Sequence, residues 1–165
     1  MFPIQVPVGL SLVLALGAGS AVWTAKLDGK DGSKISGTAQ VESATLMPPS
    51  DSTTPPKDST TTAHPSPTEL RVTVTLSNAA ANASLSWYLY SGSCNAGSAG
   101  DAESIVGLAS SYVPVKIDGS GNGSTTTTVR GVQIGTGNYY VGIIAAGGGK
   151  LAACGNLEPQ TSTGE

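Results

Sequence analysis

Apolar positions along the chain fall into three regimes. In the first, MFPIQVPVGLSLVLALGAGSAVWTA, no charge precedes Lys26, and the densest apolar part runs from Val8 to Ala21. That part has the length of a signal-peptide core, and Gly19-Ser20-Ala21 suits a cleavage site. Counted from Met1, the apolar run covers about 20 residues, enough for a helix to cross a bilayer. Residues 1–21 are therefore expected to form an N-terminal apolar helix, either a signal peptide or an uncleaved transmembrane anchor.

From Val22 the period drops to two. VWTAKL (22–27), the turn DGKDGS and KISGTAQVE (34–42) predict a hairpin, with Trp23, Ala25 and Leu27 on one face and Ile35 opening the return strand. Further alternating runs follow: ELRVTVTLS (69–77), ASLSWYLYS (83–91), YVPVKID (112–118), STTTTVRGV (124–132), NYYVGIIAA (138–146) and KLAACGNL (150–157). Gly-Asn-Gly at 121–123 and the three glycines at 147–149 mark turns between them. No segment carries a helical apolar stripe. The pattern predicts an all-β fold, an antiparallel Greek-key sandwich or barrel of about eight strands.

The third regime interrupts that domain. Residues 47–68, MPPSDSTTPPKDSTTTAHPSPT, hold no aromatic residue and cannot bury enough apolar surface to offset their ordering entropy. They are expected as a Pro/Ser/Thr-rich loop insertion within a domain spanning 22–157, with 158–165 as a flexible tail.

Composition agrees with this pattern. Charged residues make up only 12% of the chain and there are 22 glycines, a usage that suits short strands and turns rather than helices. The formal net charge of −3, with no basic cluster, excludes the electrostatic footprint of a nucleic-acid binder. Two cysteines, Cys94 and Cys154, form an even count, which in an exported chain implies a disulfide. An exported location on the periplasmic or extracellular face of a membrane, anchored or secreted, follows from the leader and the cysteines together.

The stretch SWYLYSGSC (86–94) and the segment ACGNL near the C-terminus resemble the Cu/Zn superoxide dismutases and their relatives, including the chordin-type domains of bacterial exported proteins. The hairpin AVWTAKLDGKDGSKISGTAQVE is similar to the first hairpin of that fold. In the dismutases a strand carries His-x-His, and a cysteine soon after it pairs with one in an Ala-Cys-Gly segment of the last strand. The resemblance thus implies a Cys94–Cys154 bridge and places Tyr88 and Tyr90 where two copper ligands would stand. A phenol, titrating near pH 10, is a poor substitute for imidazole at neutral pH. The family needs about six histidines and an aspartate; this chain has one histidine, His64, inside the Pro/Ser/Thr tract. The resemblance therefore implies the fold without its metals: no catalytic residue, no metal site and no cofactor.

The other candidates are few. Asp101, Glu103 and Asp118 follow no calcium-loop spacing and read as turn residues. Lys150 stands near the place of the family's guiding arginine, one residue out of step. Asn82 and Asn122 head glycosylation sequons, which matter only in a host that glycosylates exported chains. On the strand 83–91, Leu85, Trp87 and Leu89 are expected to join Trp23 in the core. Tyr88 and Tyr90 then face the other way, where Tyr139 or Tyr140 joins them; these tyrosines are expected either to pack under the long loop with their hydroxyls in water or to form an interaction patch. The functional expectation is a non-enzymatic accessory or structural subunit tethered to the membrane through residues 1–21. It would dock by protein contacts on a larger membrane complex, photosynthetic or respiratory. The alternative is a soluble secreted or periplasmic binding module.

Overall fold

The computed structural model describes residues 21–45, 68–94, 104–132 and 134–160. The expected leader helix, apart from Ala21, and the Pro/Ser/Thr insertion, apart from Thr68, lie outside them. Among the described residues ten strands follow in order: β1 Ala21–Gly29, β2 Ser36–Thr45, β3 Thr68–Ser77, β4 Ser84–Leu85, β5 Trp87–Ser91, β6 Val115–Lys116, β7 Gly123–Arg130, β8 Tyr139–Ile144, β9 Leu151–Asn156 and β10 Glu158–Pro159. Every pairing is antiparallel, and the fold is all-β, as the alternating pattern predicted.

The main sheet has the order β5-β8-β9-β1-β2-β3-β7 with β10 alongside β1, and it curls into a half-barrel. Strand β1 is the corner. Ala21 to Leu27 pair with β2, whereas Asp28 and Gly29 pair with Cys154 and Ala153 of β9. Strands β4 and β6 form a separate ribbon, and β6 packs against β7 and β3. The hairpin β1–β2 turns through Asp31 and Gly32, both with positive φ, and Ser33 N–H donates to the Lys30 carbonyl at 2.9 Å. Asp-Gly at those two places is the residue pair that such a turn favours. Strands β2 and β3 pair from Ser36↔Ser77 to Thr45↔Thr68, so the Pro/Ser/Thr stretch joins the two strands of one hairpin.

Alternation sets the core. On β3, Leu70, Val72, Val74 and Leu76 are all fully buried, and each contributes roughly 1.5–3 kcal/mol relative to an exposed side chain. Their neighbours Thr73 and Thr75 face outward and share hydrogen bonds with Thr126 (3.0 Å) and Ser124 (3.1 Å) of β7. Ala25, Leu27, Val41, Val129, Val141 and Ile143 complete the interior with Leu85, Trp87 and Leu89. Trp23 differs from its expected place: it is only half-buried and packs at the margin of this cluster, at a position where β1 pairs with Pro159 of β10.

Three other segments depart from the sequence reading. The run 83–91 is split at Ser86, because Leu85 pairs with Val115 in the ribbon while Trp87 pairs with Ile143 of β8. Of the run 112–118 only Val115–Lys116 is strand; Pro114 has no N–H to give a ladder. The stretch expected as a tail begins with strand: Glu158 and Pro159 pair with Thr24 and Trp23, and Gln160 N–H donates to the Val22 carbonyl at 2.8 Å. Likewise Ala21, expected to end the leader, opens β1.

Candidate functional site

The outer face of β5, β8 and β9 is where the sequence predicted a tyrosine surface. On β5, Trp87 and Leu89 enter the core, so Tyr88 and Tyr90 project to the opposite side. Register places Tyr90 opposite Tyr140, Tyr88 opposite Gly142, and Gly142 opposite Cys154. The rings of Tyr90 and Tyr140 stack at 4.9 Å with planes 17° apart. Gly142 makes room for this: a Cβ there would sit 2.9 Å from Tyr90 Cε2 and 2.6 Å from Leu151 Cδ2.

Cys94, Cys154, Ile105 and Leu151 then pack around the rings. After β5 the chain turns back, and Cys94 forms a disulfide with Cys154, their Cα atoms 5.8 Å apart. The Cys94 N–H donates to Asn156 Oδ1 at 2.8 Å. Farther along, Ile105 makes an isolated antiparallel bridge to Tyr90, and Val106 N–H donates to the Leu89 carbonyl at 2.8 Å. The Tyr112 hydroxyl donates to the Val106 carbonyl at 2.5 Å, pinning the segment from its other side. Tyr90 and Tyr140 are left 2% and 4% exposed, in a second small core with the two cysteines.

The expected interaction patch therefore does not form. Tyr90 and Tyr140 lie under the disulfide-held loop. Tyr139 packs against the main core, because neighbouring residues on a strand alternate faces. Only Tyr88 retains partial exposure on that face, edge-on to Tyr90 at 6.1 Å and to Tyr112 at 5.4 Å. Tyr112, Asn156 and Gly142, which the sequence reading did not single out, do the holding. Tyr112 also meets Trp87 edge-on at 5.0 Å, and the Trp87 Nε1–H donates to the Val113 carbonyl at 2.8 Å.

Burial pushes the Tyr90 phenol up to about 12, with smaller contributions from Tyr140 and Tyr88. It also pushes Tyr112 up to about 12, partly opposed by a hydrogen bond with the Leu89 backbone. Both are neutral hydroxyls at physiological pH, able to hydrogen-bond and pack. Among the described residues no group of three His, Cys, Asp or Glu side chains could hold a metal ion. Asp118 is engaged by its own turn: its Oδ1 accepts from the Ser120 N–H (2.8 Å) and the Asn122 N–H (3.0 Å). His64, Asp101 and Glu103 lie outside the described residues.

Beside the disulfide lies a polar cleft of about 380 Å³, where Lys26, Lys30, Asp28 and Glu158 mix both signs of charge. Lys26 and Asp28 pair across it at 3.4 Å. Among the described residues no helix is long and apolar enough to cross a membrane. No family model and no curated protein matches the chain.

Proposed function

We propose that this chain is an exported, non-enzymatic binding domain, a superoxide dismutase-like β-sandwich whose metal face has become a structural one. The observation that carries the reading is the stacked Tyr90–Tyr140 pair. It occupies the face that the resemblance assigns to copper and seals it beneath the Cys94–Cys154 loop. The bridge itself, between the two cysteines that the resemblance pairs, supports the same kinship. It is also consistent with an oxidising compartment.

The test is to dialyse the purified chain against equimolar copper(II) and zinc(II) and to measure retained metal and superoxide consumption. Neither is expected above a control protein; stoichiometric metal with superoxide consumption would overturn the reading. The membrane-tethered form, an accessory subunit of a larger complex, draws support from β1 beginning at Ala21, directly after the apolar run. Its test is the intact mass of chain extracted from membranes. A mass retaining residues 1–21 supports tethering, and one starting near Val22 leaves a soluble module.

A further inference from the structure

Three turns surround an open cleft of about 480 Å³. Its floor is apolar and belongs to the core: Ile35, Leu85 and Ala152 are all buried and all line it. Its rim is cationic. Lys30 and Lys34 come from the β1–β2 turn and Lys150 from the β8–β9 turn, and none of the three makes an ion pair among the described residues. Asp31 is the single carboxylate on the lining. The β8–β9 turn leaves the mouth clear: Gly147, Gly148 and Gly149 all have positive φ, and a Cβ on any of them would meet nothing within 4 Å. The volume falls within the range of about 300–1,000 Å³ typical of small-molecule sites, which favour apolar walls with a few polar groups and often sit in the mouths of β-barrels.

We propose that this cleft binds a free single-chain amphiphile with an anionic head. The apolar body lies on Ile35, Leu85 and Ala152, and the head lies among the three ammonium groups. The proposal rests on the reading of the chain as a non-catalytic binding domain and names its ligand class. An uncharged apolar ligand would leave the lysines unused, and an anion without an apolar body would leave the floor wet. The polar cleft beside the disulfide offers no comparable match, since Asp28 and Glu158 stand there beside Lys26 and Lys30 and Lys26 pairs with Asp28.

The test uses the full chain with decanoate, its uncharged counterpart decanol, and phosphatidylglycerol/phosphatidylcholine vesicles. Binding is followed by calorimetry at low and high salt and by amide NMR shifts. Decanoate is expected to shift Ile35, Leu85 and Ala152 and to bind more weakly at high salt. Exposed ammonium groups contribute modestly one by one, so the triple variant K30Q/K34Q/K150Q should lose roughly tenfold in affinity. Ala146→Phe, at an exposed position on the lining, should block decanoate without unfolding the chain, which thermal melting checks. Equal affinity of the triple variant, equal binding of decanol, or shifts outside the cleft would overturn the proposal. So would binding to vesicles alone, which would assign the lysines to a membrane surface. Absence of binding leaves the non-catalytic reading intact, whereas conversion of decanoate to a product would overturn that reading even with the cleft occupied.

Discussion

Removing the disulfide by the double substitution Cys94→Ala/Cys154→Ala should cost most of the domain's margin of stability. The bridge closes a loop across a sequence separation of 60 residues. In the chain-entropy treatment a loop of that length restrains the unfolded chain by about 4 kcal/mol. A small domain has only about 5–15 kcal/mol in all. Urea unfolding followed by tryptophan fluorescence, which reports chiefly on the buried Trp87, measures both the free energy and its denaturant slope. The variant should lose about 4 kcal/mol, and its slope should rise, because an unfolded chain freed of the cross-link exposes more surface. The loop should not detach completely, since the Val106–Leu89 and Tyr112–Val106 hydrogen bonds lie beyond the bridge. A variant within about 1 kcal/mol of the parent with an unchanged slope would refute the entropic argument.

Other perturbations separate the remaining contributions. Gly142→Ala drives a methyl group into Tyr90 and Leu151 and should destabilise by about 1–3 kcal/mol, read from the same unfolding curves. Stability should fall as pH rises from 10 towards 12. Below pH 10 folded and unfolded tyrosines are both protonated; above it the unfolded chain releases protons that Tyr90 and Tyr112, with values of about 12, retain. Each such tyrosine then favours unfolding by about 1.4 kcal/mol per pH unit, and Tyr90→Phe should remove its share from alkaline melts. Trp87→Phe deletes the hydrogen bond to Val113 and should cost about 1 kcal/mol from that bond besides lost packing, measured by thermal melting. Glu69→Gln breaks the pair with the exposed Arg130 and should change stability by no more than about 0.5 kcal/mol in the same melts.

Much of the architecture was legible in period-two alternation, because a half-buried strand writes its inner face directly into the residue order. Leu70 to Leu76 on β3 and Trp87 with Leu89 on β5 are instances. The Asp-Gly turn and the glycine triplet were legible for a local reason, their tolerance of positive φ. What covers a strand's outer face is a long-range matter, and there the sequence left two outcomes open, packing under cover or an exposed patch, of which the structure takes the first. Parity correctly separated Tyr88 and Tyr90 from Trp87, but nothing near them in sequence says that Cys94, Ile105 and Tyr112 close over them. Parity also admits only one of Tyr139 and Tyr140 to that face, since consecutive residues on β8 cannot share it, and Tyr140 is the one. Trp23 was assigned inward from alternation alone, without knowing that β1 meets β10 there, at the margin of the core. The cleft was hidden because Lys30, Leu85 and Lys150 come from three distant segments.

The hydrogen bond between Gln160 and Val22 brings the two ends of the described domain together at one point. From Val22 the chain runs eight residues along β1 to Lys30, in the turn that also carries Lys34. At about 3.3 Å per residue that is a stalk-to-tip distance of roughly 26 Å. Ala21 thus stands at the end of β1 remote from the turn that carries Lys30 and Lys34. Neighbouring ends of this kind also make the domain a natural candidate for circular permutation, with new ends cut in the glycine turn at 147–149 and the old ones joined.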